Sequence, residues 1–209
     1  MELLTTGITF FQKGGIVMYV LLLCSLFVLS IGIERALYFR RMDSGRAFAR
    51  DFYLALANGK RQQAEKLADD ARGALADILF AVITKKPEAR KNPATYMEVR
   101  SGIALAKLRK RLYYLSVIVT MAPLLGLLGT ISGMITSFSV FNLESGQATA
   151  ITGGVGEALI ATAMGLCVAI VSLAVHAYFS QRIENIVTDM EQCFSMVETA
   201  DDESKEEAA

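Results

Sequence analysis

Between Arg111 and Glu144 the chain runs for 32 consecutive residues without a formal charge. A helix rises 1.5 Å per residue and needs roughly 20 residues to cross about 30 Å of hydrocarbon, so this run spans a bilayer with turns to spare. Two further runs have the same property: Gly14–Ile33, with 20 uncharged residues between Lys13 and Glu34, and Ala158–Gln181, with 24 between Glu157 and Arg182. Hydrophobic residues make up 53% of the chain, which places it among membrane proteins. Lipid offers no partner to a backbone N–H or C=O, and these runs are too long and continuous for the strands of a barrel. The expected fold class is an all-α integral membrane protein with three transmembrane helices. The second and third should extend into a cytoplasmic helical domain.

The first run is not read as a cleaved signal peptide. It exceeds an h-region in length, no small-residue cleavage site follows, and Glu34-Arg35…Arg40-Arg41 has the character of a stop-transfer flank. The formal net charge is zero, but 17 of the 21 Lys and Arg residues fall between Arg40 and Arg111, and the connection Ser139–Gly153 carries none. The positive-inside rule then places the long connection in the cytoplasm, the second connection and the N-terminus outside, and the C-terminus inside. The expected organisation is an external segment at 1–13, transmembrane helix 1 at 14–38 and a cytoplasmic helical insertion at 39–94. A long helix at 95–141 contains transmembrane helix 2. An external loop at 142–153 and a long helix at 154–198 with transmembrane helix 3 follow, and a disordered acidic tail at 199–209 closes the chain. Within the insertion, helices are expected at 43–57, about 61–71 and 74–84. Thr95 with Glu98 reads as a capping box at the start of the second long helix. Beyond Gln181, Ile183, Ile186, Val187, Met190, Phe194 and Val197 continue a helical apolar stripe.

Chemistry concentrates in two short stretches. In the second span Gly126, Gly129, Thr130, Gly133 and Ser137 follow i, i+3, i+4, i+7, i+11 behind Pro123, a narrow stripe of small and hydroxyl residues. Small residues spaced by four let helix backbones approach closely, so the glycines suit a packing seam, while Thr130 also suits a polar pore wall. In the third span Glu157, Ala161, Gly165 and Ala169 share a face, and Thr162 lies about 140° round the helix from Glu157. Thr162 has two open readings, a bond to its own i−4 carbonyl or a place on a polar lining. Glu157 heads an apolar run, where a carboxylate is either functional or a boundary marker facing outer water. His176, near the inner end of that span, reads better as an interfacial residue than as a proton relay.

Three cysteines, Cys24, Cys167 and Cys193, fit neither a metal site nor a disulfide framework, and no nucleotide loop, metal cluster or nucleophile triad occurs. No enzyme activity, cofactor, metal or nucleic-acid partner is expected.

The segment Ala122–Phe138, with its Pro–Gly–Gly–Thr–Gly order, and Gly156–Gly165, reading Gly-Glu-Ala-Leu-Ile-Ala-Thr-Ala-Met-Gly, resemble the MotA/TolQ/ExbB proton-channel family. The three-span plan resembles its ExbB/TolQ branch, and Glu34-Arg35 at the inner end of the first span also matches its pattern. The resemblance implies a homopentamer in the bacterial inner membrane whose second and third spans line a pore. That pore would hold a dimer of an ExbD/TolR-like single-span protein carrying a membrane Asp, with a TonB-like or TolA-like protein beyond it. The implied function is a stator that converts the proton motive force into mechanical work on a periplasmic or outer-membrane process such as TonB-type transport. The alternatives are a TolQ-like envelope-constriction motor, a gliding or secretion motor, or a sodium-driven stator. By motif position Thr130, Thr162 and Glu157 form the ion pathway, Pro123, Gly126, Gly129, Gly133 and Gly165 the helix packing, and Glu34 and Arg35 a cytoplasmic rim. The residues add one argument of their own. A proton relay needs a titratable group, and the spans offer hydroxyls but no carboxylate near their middle, so the acid must come from a partner.

Overall fold

The computed structural model describes the backbone of residues 15–143 and 148–206, and the side chains of these except 140–143, 148–154, 157 and 202–206. The expected external segment 1–13 lies outside the described residues. Among the described residues there are eight helices and no strand: α1 (Gly15–Met42), α2 (Arg46–Ala57), α3 (Arg61–Asp70), α4 (Ala74–Ile83), α5 (Pro87–Arg90), α6 (Pro93–Arg109), α7 (Leu112–Leu143) and α8 (Ala148–Glu206). The chain is an all-α protein, and three helical stretches are long and apolar enough to cross a membrane. They divide between two compact units, one of residues 15–33, 112–143 and 148–177, the other of 34–111 and 178–206.

The first unit is built from the three uncharged runs. Only 22% of the most apolar window of the first stretch is buried, and 33% of each of the other two. The outward surface therefore consists of side chains such as Ile16, Leu23, Leu124, Leu159 and Ile170, a composition suited to lipid rather than water. Inward, α7 and α8 pack antiparallel along a seam of small residues. A Cβ on Gly165 would lie 2.5 Å from the Ala122 carbonyl oxygen, and one on Gly126 would lie 2.9 Å from both the Ala161 oxygen and the Thr162 Cα. Further along, a Cβ on Gly129 would meet the Ala161 methyl at 2.6 Å, and one on Gly133 the Ala158 methyl at 2.8 Å. The helices thus touch backbone to backbone, where van der Waals packing replaces the hydrophobic drive that lipid removes. The first helix leans on this pair through Val17 near Gly129, Phe27 edge-on to Tyr114 and Gly32 beside Val175.

The second unit is a helical cluster around α4, whose Leu75, Ala76, Ile78, Leu79, Val82 and Ile83 are all buried. Around it lie Ala49, Phe52 and Leu56 of α2, Ala64 and Ala68 of α3, and Met97, Ala104 and Leu108 of α6. The part of α8 in this unit buries Ile183, Ile186, Met190, Cys193 and Val197, spaced 3-4-3-4 as in a coiled-coil seam. The corner between α1 and α2 is locked to α4. Gly73 takes φ +122°, and its missing side chain leaves room for the Ser44 hydroxyl, which caps α4 by accepting from the Ala76 N–H at 3.1 Å.

Four expectations change. The stretch 95–141 is not one helix, because the ladder is interrupted at Lys110–Arg111 between α6 and α7. The cap of α6 is Asn92, whose side chain accepts from the Thr95 N–H at 3.2 Å, rather than Thr95; Pro93 at the first helical position starts the helix earlier. Helix also occupies much of 142–153, with α7 ending at Leu143 and α8 beginning at Ala148. The tail is helical as far as Glu206 instead of disordered from 199, since extending a formed helix adds one hydrogen bond per residue fixed. Arg61 also meets Asp201 there at 3.4 Å.

Gly165→Ala should push the α7 and α8 backbones apart and cost about 1–3 kcal/mol. Gly156→Ala, inside α8 where a Cβ meets nothing within 4 Å, should be neutral or stabilise by up to about 1 kcal/mol. Thermal unfolding of the purified protein in detergent distinguishes them, and equal melting temperatures would remove the seam's role.

Candidate functional site

The small-residue seam positions two hydroxyls, one from each helix, against one stretch of the α7 backbone. Thr162, half-buried on α8, donates its hydroxyl to the Gly126 carbonyl of the facing helix at 3.0 Å. Thr130, 9% exposed, donates to the carbonyl of the next residue, Leu127, at 2.7 Å. Gly126 makes the first of these possible, because only a glycine lets the Thr162 backbone come that close. Thr162 thus bonds across the seam, an arrangement outside both sequence readings, and does not bond its own i−4 carbonyl. Both hydroxyl protons are engaged, so what the pair still offers is oxygen lone pairs, which accept and do not donate. Pro123 sits one turn away on α7; lacking an N–H, it leaves the Val119 carbonyl without its ladder donor.

The seam thus brings together Thr130, Thr162, Gly126, Gly129, Gly133 and Gly165. The backbone of Glu157 is helical, one residue from Ala158, which faces Gly133; the Glu157 side chain lies outside the described residues. His176 is half-buried. Ser172, fully buried, donates to the Leu115 carbonyl at 3.0 Å and ties α8 to α7 a second time. Its only signal in the sequence is a lone hydroxyl in an apolar run.

Glu34 and Arg35 form a second node, in the charged unit. Arg35 is 4% exposed, and all three of its nitrogens are engaged. Nε and Nη2 donate to the two Glu34 carboxylate oxygens at 2.7 and 2.6 Å, while Nη1 donates to the carbonyls of Lys107 and Leu108 at 3.0 and 3.3 Å. Those carbonyls belong to the last turn of α6, where the break at Lys110–Arg111 removes ladder donors. The guanidinium is therefore a C-terminal cap supplied from a distant part of the chain, with charge that favours the negative end of the helix dipole. Tyr38 stacks under it, 4.6 Å from ring centroid to Cζ, and Arg111 closes on the remaining side of Glu34 at 3.1 Å. Further out, Asp43 accepts from Arg182, and Arg46 donates to Asn185 at 2.8 Å. Among the described residues no group of His, Cys, Asp and Glu is arranged to hold a metal ion.

Residues 70–192 match the model of the MotA/TolQ/ExbB proton channel family. The biopolymer transport protein ExbB-like 1 of Synechocystis sp. is 35% identical over 170 residues, covering 79% of this chain and 67% of the relative. ExbB-like 3 of the same organism is 34% identical over 166 residues, covering 78% of this chain and 79% of the relative. The Tol-Pal system protein TolQ of Pseudomonas aeruginosa is 34% identical over 82 residues, covering 39% of this chain and 36% of its own.

Arg35→Met keeps the aliphatic stem but uncaps α6 and strands Glu34, and should cost about 3 kcal/mol. Arg35→Lys should recover only part of this, since an ammonium cannot fork between a carboxylate and two carbonyls. Arg111→Gln, at a half-exposed ion pair, should cost less than about 1 kcal/mol. Chemical unfolding monitored by circular dichroism ranks the three; Arg35→Met matching Arg111→Gln would refute the capping role.

Proposed function

The chain belongs to the MotA/TolQ/ExbB proton channel family, and on that premise we propose that it is the multi-span subunit of an ion-driven motor in the bacterial inner membrane. Five copies surround a pore lined by the second and third spans, with the N-terminus periplasmic and the C-terminus cytoplasmic. A dimer of ExbD/TolR-like single-span helices, each carrying a membrane Asp, occupies the pore. Proton flow through the assembly is converted into mechanical work on a periplasmic or outer-membrane process such as TonB-type transport, by way of a TonB-like or TolA-like protein.

The observation that carries this reading is the hydroxyl pair whose protons are already donated to the Gly126 and Leu127 carbonyls. Such a pair is an acceptor for a carboxylic acid O–H and a poor partner for a carboxylate anion. A partner Asp passing the pair would be favoured in its protonated form and released from it when ionised, which is the alternation a proton-driven cycle needs. Neither span supplies an acid of its own in 112–143 or 158–181, so the titrating group belongs to the partner. Glu157, at the outer end of the third span, helps to set the potential at the entrance. Lone pairs of this kind can also ligate a hard cation, which keeps a sodium-driven motor as the second reading.

Native mass measurement of the complex with and without the partner tests the stoichiometry. Thr162→Val should leave that mass unchanged and lower partner-dependent activity by roughly 10–100-fold, the equivalent of one hydrogen bond of about 1.5–3 kcal/mol to an ionisable group. Normal activity would remove Thr162 from the pathway. Glu157→Gln should slow flux while sparing assembly, and unchanged flux would reduce Glu157 to a boundary residue. In vesicles, flux that follows a pH gradient without sodium supports the proton reading, and flux that requires sodium overturns it.

A further inference from the structure

The charged unit carries an apolar helix face that is largely exposed. On α6, Val99 is 53% exposed and Ile103 45%, Ala106 is exposed, and a Cβ on Gly102 would meet nothing within 4 Å. At about 100° per residue these four share one arc of the helix, opposite the buried Met97, Ala104 and Leu108. Unlike the outward residues of the first unit, they lie in a stretch flanked by charges on both sides of the arc. Arg100 and Lys107, both exposed, border it on one side and Glu98 on the other. A contiguous bare apolar stripe rimmed by charges on an amphipathic helix is the mark of an interaction surface.

The same unit offers a complementary surface. Between α6 and α8 lies a groove of about 390 Å³ with Leu105, Val187 and Phe194 among its apolar residues and Glu98, Glu191 and Glu198 among its polar ones. Glu191 and Glu198 are both exposed, and spaced seven apart they rim one side of it. The chain thus presents an apolar ridge with a basic flank and, beyond Glu98 on the other side of α6, an apolar groove with an acidic rim. Surfaces that match each other but differ from each other make a head-to-tail contact, which closes into a ring when the rotation allows. Ridge on ridge, or groove on groove, would instead set like charges together.

We infer that the Val99–Ala106 face of α6 docks into the acid-rimmed α6–α8 groove of a second copy of this chain, with Arg100 and Lys107 meeting the partner's Glu191 and Glu198. This rests on the proposed homo-oligomer and names the surfaces that hold it together. Gly102 and Ala106 provide the close approach, Val99 and Ile103 fill the groove, and the charge pairs fix direction around the ring.

The full-length protein, extracted with its single-span partner, provides the test. The double variant R100E/K107E and the double variant E191K/E198K should each lower the oligomeric fraction by about tenfold or more at fixed concentration, with helix content unchanged. Combining all four substitutions should restore assembly, which a merely misfolded variant could not do. A photo-crosslinker in place of Val99 should capture residues 187–198 of another copy. Reversals without effect, loss that the combined variant fails to rescue, or crosslinks only to a different protein would each overturn the inference. A wild-type chain that runs as a monomer would sink the homo-oligomer and this contact together. A wild-type oligomer indifferent to the reversals would sink this contact alone.

Discussion

Everything in the apolar unit depends on two helix backbones touching. Where Gly165 faces Ala122 and Gly126 faces Thr162, no side chain separates α7 from α8, and a single added methyl would sit 2.5–2.9 Å from main-chain atoms. Lipid gives helices no hydrophobic reason to associate, so this closeness has to supply the attraction through dispersion and through hydrogen bonds across the gap. The bonds are there: Thr162 to Gly126 and Ser172 to Leu115, each from a hydroxyl of α8 to a carbonyl of α7. The geometry that permits packing is also what brings the Thr162 hydroxyl within reach of its acceptor. Structure and chemistry share the same glycine.

The charged unit solves a different problem. An arginine this deeply buried would be costly if left alone, and Arg35 is compensated on every side, by a carboxylate, two carbonyls and an aromatic ring. In return it satisfies helix-end carbonyls that the interruption at Lys110–Arg111 leaves without ladder donors. The Glu34-Arg35 pair is therefore more than a topology signal at the end of an apolar run. It joins α1 to the end of α6 through the backbone, a contact that survives changes in the α6 side chains.

Much of this was legible from the residues in order, because apolar run length and small-residue spacing are local properties. The three spans, the helical insertion broken at Asn58-Gly59 and Gly73, and the glycine stripe all follow from them. What escaped depends on partners far along the chain. Nothing near Lys110 marks a helix break, since no Pro or Gly lies there; the residue that caps it is 72 positions away. Whether Thr162 bonds its own helix or the next depends on the register between α7 and α8, which composition does not contain. Cys193, which in sequence fits neither a metal site nor a disulfide framework, is a buried position of the 3-4-3-4 stripe, donating to the Ala49 carbonyl at 3.5 Å. The Thr95 capping box lost to Asn92 because Pro93 starts the helix three residues sooner.

The seam's glycines are not equally replaceable, and the difference lies in what each one faces. Gly129 and Gly133 look across at the methyl groups of Ala161 and Ala158, atoms that a glycine on α8 would not have. At these two places the methyl could change sides, alanine on α7 opposite glycine on α8, with little change in the separation of the helices. Gly126 and Gly165 face carbonyl oxygen and Cα, which no substitution on the other helix can remove. Related sequences can therefore drift at the first pair by exchange between two positions, with effects that do not add. At the second pair there is no position to exchange with, and the glycine must simply be kept.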